Sequence, residues 1–156
     1  MVSPQEMELL ARQINQAHRA AVQTALAEAG LSEIGHPMLI TILSSASCGS
    51  KCFAQRELAE FLHISPAAVA NSLKSLEKSG YISREPEPDD ARCNRVLLTE
   101  KGRAAVSGCE EAFARVSRRM LAGFTQEEQA QLLSFRRRML RNLREPDSAP
   151  NEKEDD

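Results

Sequence analysis

The pattern of hydrophobic and polar positions divides the chain into helical segments around one short β-hairpin. The first helix is predicted to begin after Ser3, which can cap its N-terminus together with Glu6, and to end at Gly30. Its apolar stripe lasts about six turns and consists of Met7, Leu10, Ile14, Ala17, Ala21 and Ala25. A helix this long exceeds what the core of one small domain needs.

Three shorter helices are predicted to follow. The second begins near Pro37, and the third spans "AQRELAEFL", with Leu58, Phe61 and Leu62 pointing inward. After a turn at "HIS", the fourth helix has Ser65 as its N-cap, Pro66 in its first position and Gly80 at its end. Its inward stripe is Val69, Leu73 and Leu76, at the spacing of one helix face.

Two short β-prone segments, "YISRE" and "NRVLL", predict a hairpin whose tip contains Pro86, Pro88 and paired aspartates. A long helix is predicted from a cap at Thr99 to Gly123. Another follows a capping box of Thr125 and Glu128. Its apolar stripe consists of Leu132, Phe135, Met139 and Leu143. The predicted fold is therefore α+β and mostly helical, with a compact centre between long flanking helices.

The distribution of charge along the chain is more informative about function than the overall composition. The 156 residues suit one domain, and neither a long apolar run nor a secretory signal is visible, so a soluble cytoplasmic protein with no membrane span is expected. The net charge is −2, but residues 145–156 alone carry −5, which leaves +3 for residues 1–144. We expect an acidic disordered tail after a mildly basic body, and this basicity permits binding to nucleic acid.

The third and fourth helices, joined by a tight turn, form a helix-turn-helix pattern. The free face of the fourth helix carries small or polar residues that can approach DNA closely: Ala67, Ala68, Asn71, Ser72, Lys74, Ser75 and Lys78. Asn71 suits a paired contact to adenine, and the two lysines suit phosphates. Taken alone, the helix pair also fits an ordinary bundle, but the hairpin directly after it favours a winged helix.

The segment "QRELAEFLHISPAAVANSLKSLEKSGYISREPEPDDARCNRVLLTEKG" resembles the winged helix of the MarR family of bacterial transcription regulators. The specific elements are "ELAEFLHIS", "VANSLKSLEKSGYI", the D-x-R at Asp90 and Arg92, and "LTEKG" at Leu98–Gly102. The resemblance implies that the N-terminal helix and the two C-terminal helices form a dimer interface. It also implies that Arg92 enters the minor groove and that Asp90 holds this arginine in place.

The resemblance assigns residues 31–103 to a winged helix-turn-helix DNA-binding region and residues 1–30 and 104–144 to helical dimerisation. The candidate DNA-binding residues are Ser65, Ala67, Ala68, Asn71, Ser72, Lys74, Lys78, Arg84, Asp90, Arg92 and Arg95. One departure is the wing tip "EPEPDDARCN", which is acidic and proline-rich where such regulators often carry a basic, glycine-containing tip. This departure predicts a weak or selective wing contact.

The sequence motifs for residues that could sense a ligand or an oxidant are less specific than those for DNA binding. His36 lies where the resembling regulators have a ligand pocket, so it is a candidate contact for a small aromatic acid; the alternative is an ordinary helix-start residue. Cys48, Cys52 and Cys93 are candidate oxidant sensors, although thiols without a role are the favoured explanation, and Cys109 is expected in the core. The dispersed histidines and the cysteine spacing predict neither a metal site nor a cofactor, and no catalytic motif is present.

These observations predict a homodimeric transcription regulator, acting as a repressor, that binds a pseudo-palindromic site in double-stranded DNA and responds to a small ligand. Two alternatives remain open. One is a thiol-based redox-sensing regulator that uses Cys48, Cys52 or Cys93. The other is a winged-helix protein-interaction module without DNA binding, which the acidic wing and tail favour.

Overall fold

The computed structural model describes residues 2–47, 53–87 and 90–144. The elements in chain order are α1 (Pro4–Glu28), α2 (Pro37–Ser47), β1 (Phe53–Ala54), α3 (Gln55–Leu62), α4 (Pro66–Lys78), β2 (Ile82–Glu87), β3 (Asp90–Leu98), α5 (Glu100–Met120) and α6 (Gln126–Arg144). The prediction of a mostly helical α+β fold is confirmed. Across the described residues, no helix is long and apolar enough to cross a membrane.

The chain divides into two compact units, Met1–Ser117 and Arg118–Asp156. The first unit contains α1 to β3 and most of α5, and the second contains the end of α5 and α6. This division concerns compactness within one chain, so the predicted partition into DNA-binding and dimerisation regions stays a prediction, as does the disordered tail, which lies outside the described residues.

The predicted helix caps are present. The Ser3 and Ser65 hydroxyls accept the backbone N–H groups of Glu6 and Ala68, at 3.4 and 3.1 Å. Gly30 and Gly80, just past α1 and α4, have φ values of +71° and +77°. This left-handed conformation costs a glycine little and costs other residues more, which explains why both helices end there.

The sheet has one strand more than predicted. The order is β1-β3-β2, with both pairings antiparallel. The strands β2 and β3 are also longer than predicted and pair as far as Glu87 and Asp90, with an irregularity after Pro86. A two-residue strand such as β1 has no periodicity of its own, so its pairing with β3 depends on tertiary structure.

One hydrophobic core holds the first unit together. Its fully enclosed side chains come from five helices and from the loop before α2: Leu26, Ile34, Ile40, Leu58, Val69, Leu73, Leu76 and Cys109. The prediction that Cys109 is a core residue is confirmed. Burial of this many apolar side chains is the main stabilising contribution to a unit of this size.

One predicted inward position, Phe61, is wrong. Phe61 is 62% exposed, while its neighbours Leu58 and Leu62 are buried and partly buried. In α1 only the last two turns are buried, at Val22, Ala25 and Leu26. The first part of the predicted stripe is exposed within this chain, because the core of the unit is reached only by the C-terminal end of the helix.

In the second unit, α6 begins with a complete capping box. The Thr125 hydroxyl accepts the Glu128 N–H at 3.2 Å, and the Glu128 carboxylate accepts the Thr125 N–H at 2.8 Å. This reciprocal arrangement satisfies two otherwise unpaired donors. No residue of α6, which is described throughout, is buried.

Candidate nucleic-acid interface

The helix α4 is fixed to the unit along one side. Val69, Leu73 and Leu76 are each at most 1% exposed, as their spacing predicts. Its N-terminus is set by the Ser65 cap and by Pro66, after a turn in which His63 has a φ of +51°. A helix held in this way leaves its opposite side available.

The exposed side of α4 carries Ala67, Asn71, Lys74 and Lys78. These residues follow at intervals of four, three and four, so their side chains share one face opposite the buried stripe. Ala68 and Ser65 are also exposed near the helix start. The face combines small residues, an amide and two cations, which is the chemistry suited to base edges and phosphates.

The prediction that Ser72 lies on this face is wrong. Ser72 is 3% exposed, and its hydroxyl donates a hydrogen bond to the carbonyl oxygen of Ala68 at 2.9 Å. A serine inside a helix can satisfy its hydroxyl on the preceding turn, which makes burial of its small side chain tolerable. Sequence periodicity places Ser72 at the border of the two faces and does not decide between them.

The base of the wing holds two arginines that were predicted to contact DNA. The Nε atom of Arg84 lies 3.2 Å from an Oε atom of Glu77 on α4, at an angle outside hydrogen-bonding geometry. Arg95 lies 3.8 Å from Glu85, its cross-strand partner in the hairpin. Both arginine side chains are only about a quarter exposed. These ion pairs give both residues a structural contact, and their role at DNA stays a prediction.

Asp90 and Arg92 both lie in β3. Their side chains, like that of Cys93, are outside the described part of the structure. The strand assignment agrees with the extended backbone that was expected for this pair, while the predicted contact between Asp90 and Arg92 stays a prediction. The hairpin tip at residues 88–89 also lies outside the described residues.

The "LTEKG" segment joins the wing to α5 and fixes the end of α4. The Thr99 hydroxyl donates to the Gly80 carbonyl at 2.6 Å and accepts the Gly102 N–H at 3.0 Å. The Lys101 ammonium donates to the Ser79 carbonyl at 2.8 Å and lies 4.3 Å from the centre of the Tyr81 ring. Sequence reasoning used this motif for recognition and capping, and missed that it anchors the C-terminal end of α4.

A second contact of Lys101 reaches the segment between α1 and α2. Its ammonium lies 3.4 Å from Glu33. Gly102 is required beside it, because an added Cβ would lie 2.0 Å from the Tyr81 carbonyl oxygen. The "LTEKG" segment therefore holds α4, the wing and the segment between α1 and α2 in one arrangement through close backbone approach and directed hydrogen bonds.

His36 lies in the loop before α2 and is exposed. Partial burial of the ring, followed by the positive charge of Arg19, lowers the pKa of His36. A separate open groove of about 220 Å³ lies between α1 and α5 and is lined largely by Ala25, Ala29, Gly108 and Ala112. His36 is not among its lining residues, so the structure does not connect the predicted ligand contact with this groove.

The cysteine predictions are mostly beyond what the structure describes. Cys48 and Cys52 lie outside the described residues. Burial, and then the charge of Glu110, raise the pKa of Cys109 to about 11, so this thiol stays protonated and unreactive at neutral pH. Within the described ranges, no group of three or more histidine, cysteine or acidic residues is arranged to hold a metal.

Comparison with known proteins agrees with this geometry. The family model "MarR family" matches residues 40–94, which include α3, α4 and most of the hairpin. An uncharacterized HTH-type transcriptional regulator of Bacillus subtilis, YdgJ, is 34% identical over 90 residues, covering 58% of this chain and 55% of the relative. The chain thus spans about half the length of the curated relatives it matches.

Solved structures extend the similarity to the flanking helices. A probable transcriptional regulator from Pseudomonas aeruginosa is 26% identical, with a TM-score of 0.71 over 85% of this chain and 96% of that one. A mutant MarR from E. coli, complexed with operator DNA, has the same fold: it is 23% identical, with a TM-score of 0.72 over 86% of this chain and 94% of that one. Residues 40–94 thus match the MarR family model, and most of the chain shares the fold of solved transcriptional regulators.

Proposed function

We propose that this protein is a DNA-binding transcription regulator without catalytic activity, acting in the cytoplasm as a repressor. The observation that carries the proposal is the exposed face of α4. Ala67, Asn71, Lys74 and Lys78 lie opposite a fully buried stripe, and the "LTEKG" segment fixes the helix end. A rigidly held helix with small and cationic side chains suits insertion in a major groove. A MarR of similar fold that is complexed with operator DNA supports DNA as the partner.

The proposed assembly is a homodimer. Apolar side chains are exposed on the first half of α1, at Met7, Leu10 and Ile14, and along α6, at Phe135, Met139 and Leu143 among others. Soluble monomers rarely expose so many large apolar residues on two helices. A two-fold dimer would present two α4 helices to a pseudo-palindromic site.

Two finer parts belong to the same proposal. Arg92 in β3 is the proposed minor-groove contact, with Asp90 as its partner. The proposed regulatory ligand is a small aromatic acid near His36. The charge of Arg19, which acts on this imidazole, would also attract a carboxylate.

The decisive experiment measures binding to the DNA upstream of the protein's own gene over a series of salt concentrations. Asn71→Ala should weaken specific binding and relax the preference at one base pair, at a cost of about 1–3 kcal/mol. Lys74→Gln should weaken binding to all sequences and reduce the slope of log K against log salt by about one. Arg92→Ala should weaken binding by removing the wing contact.

A matched control is Arg12→Gln, which removes one positive charge from an exposed i, i+4 pair with Glu8 on α1. It should leave both the affinity and the salt slope unchanged. Absence of specific binding at low salt would refute the regulator and leave the protein-interaction module as the better explanation. Equal effects of Lys74→Gln and Arg12→Gln would show that α4 is not the contact surface.

A further inference from the structure

The C-terminal half of α6 has two faces of opposite character. Its apolar residues, which include Phe135, Met139 and Leu143, follow one side of the helix. Arg137, Arg141 and Arg144 follow the other side at intervals of four and three residues, and all three are exposed. Arg138 flanks this row, with its guanidinium 5.4 Å from the centre of the Phe135 ring. The polar side of the last two turns therefore carries one sign of charge.

This arginine face, defined as Arg137, Arg138, Arg141 and Arg144, remains outward if the apolar side of α6 is covered. The two acids of the helix, Glu127 and Glu128, are in its first turn, so they lie two or more turns from the arginines. Glu128 is also engaged by the Thr125 cap. No acid of α6 lies near the arginine face, so an acidic segment from outside α6 would complement its charge.

The residues directly after α6 have complementary charge. Residues 145–156, "EPDSAPNEKEDD", contain six acids and one lysine, and the first acid follows Arg144 without a gap. Pro146 is two residues past Arg144, and proline disfavours a helix interior because it lacks the backbone donor and clashes with the preceding turn. Its place in the sequence suits a segment that turns back toward the arginine face.

The length of the segment also fits. Twelve residues reach about 40 Å when extended, whereas Arg137 to Arg144 span about 10 Å along a helix. The segment can return over the whole arginine face with residues to spare. A short tether gives it an effective concentration on the order of millimolar, which compensates for the weakness of exposed ion pairs.

We propose that the acidic segment Glu145–Asp156 folds back onto the arginine face of its own α6 and competes there with external polyanions. Guanidinium groups bind carboxylates with directed, charge-assisted hydrogen bonds. Occupation by the segment lowers the affinity of this face for phosphate or sulfate polymers. Contact with polyanions is then left to the cations of α4, which the segment does not need to reach.

The test uses the full chain with all six acids of the segment changed to amides: Glu145→Gln, Asp147→Asn, Glu152→Gln, Glu154→Gln, Asp155→Asn and Asp156→Asn. Arginine side-chain N–H resonances are compared with those of the parent. Signals of Arg137 and Arg144 should shift, while those of Arg12 and Arg56, paired within α1 and α3, should not. Unchanged Arg137 and Arg144 signals, or equal shifts at all four arginines, would overturn the proposal.

A functional readout is binding to heparin, a sulfated polymer without base sequence. The six-amide variant should bind roughly fivefold or more tightly than the parent at low ionic strength, and the difference should vanish in about 1 M salt. In the Arg137→Gln/Arg144→Gln background this gain should be lost, whereas in the matched Arg12→Gln/Arg56→Gln background it should persist. An equal gain in both backgrounds would show a general charge effect and refute docking on α6.

Two other locations of the segment give different results. Labelled six-amide protein, unfolded and refolded with an excess of unlabelled parent, should keep its shifted arginine signals if docking is within one chain. Return of these signals to the parent positions would show docking from a second copy. Shifts at the Lys74 and Lys78 ammonium signals instead of at the arginines would place the segment on α4, and either result would overturn the proposal.

Discussion

The helices α4 and α6 are both amphipathic, yet their apolar sides meet different fates within one chain. In α4, Val69, Leu73 and Leu76 are fully enclosed. In α6, no residue is buried: Leu132 is half-buried, Phe135 and Met139 are exposed, and Leu143 is 84% accessible. Both helices begin with a hydroxyl cap, so their difference is not one of local helix signals.

This contrast shows that hydrophobic periodicity predicts which face of a helix is apolar, but does not identify the residues that cover this face. The period of α4 is satisfied by its own unit, where α3, the sheet and the loop residue Ile34 supply the core. The period of α6 is not satisfied by the described residues of the same chain. Exposed apolar surface of this extent is rare in soluble monomers. The apolar side of α6, unlike that of α4, therefore supports the proposed self-association.

The largest effect is expected from Leu73→Ala in α4. It should lower the free energy of unfolding by about 2–5 kcal/mol, because the enclosed site loses apolar contacts and keeps a cavity. Leu140→Ala on α6 is the matched change. If α6 packs against a second copy, the cost of Leu140→Ala should shrink as the protein is diluted and the dimer dissociates, while the cost of Leu73→Ala should not change.

Chemical denaturation at several protein concentrations, with sedimentation equilibrium, measures both. A cost for Leu140→Ala below about 0.5 kcal/mol at every concentration would indicate an uncovered surface. In that case α4 would pack in the core while the apolar side of α6 would face solvent, and the dimer part of the proposed function would fail.

The sequence predicts the packed helix better than the exposed ones for a physical reason. Caps and glycine stops are local, so Ser65, Gly80, Thr125 and Glu128 are readable from residue types alone. The burial of Phe61 or Ser72 depends on which neighbours arrive from elsewhere in the chain, and both predictions were wrong. The strand β1 was missed for the same reason, since two residues form a strand only through β3.

The second-largest effect is expected at Gly102, where the backbone of α5 closely approaches the backbone of Tyr81. Gly102→Ala places a Cβ 2.0 Å from the Tyr81 carbonyl oxygen, and the backbone must shift to accept it. We expect a loss of about 1–3 kcal/mol in the free energy of unfolding. We also expect weaker DNA binding, because Tyr81 joins α4 to the wing.

Gly108→Ala in the same helix is the matched control. Its added Cβ would meet only the end of the Leu31 side chain, at 2.6 Å, and this side chain can rotate. Replacing a helix-interior glycine gains about 1 kcal/mol in helix propensity, so the net change should be small. Equal losses from both substitutions in thermal or chemical unfolding would show that the Tyr81 contact has no special role.

The candidate site was less predictable than the fold. The exposed face of α4 followed from periodicity, because residues opposite an enclosed stripe must face outward. The ion pairs of Arg84 with Glu77 and of Arg95 with Glu85 did not follow. Charge patterns along the sequence identify available cations, but the cross-strand register and the position of α4 decide which glutamate each arginine meets.

The smallest expected effect is on the pKa of His36, which lies on the surface of the first unit. Partial burial and the charge of Arg19 lower the pKa of His36, so the native state resists protonation of this residue. The contribution of His36 to stability is therefore complete above its unfolded-state pKa and is lost as the pH falls through the window down to the lowered native value. Arg19→Gln should raise the pKa of His36 and narrow this window.

Titration of the His36 ring signals by NMR measures this shift, with Arg12→Gln as the control that should leave the His36 pKa unchanged. Only the smaller of the two causes is removed by Arg19→Gln, so the pKa should remain below its unfolded-state value. A lowering of the pKa, or an equal response to both substitutions, would contradict the assignment. Addition of a small aromatic acid then tests the proposed ligand contact, because a bound carboxylate should raise the His36 pKa in the parent.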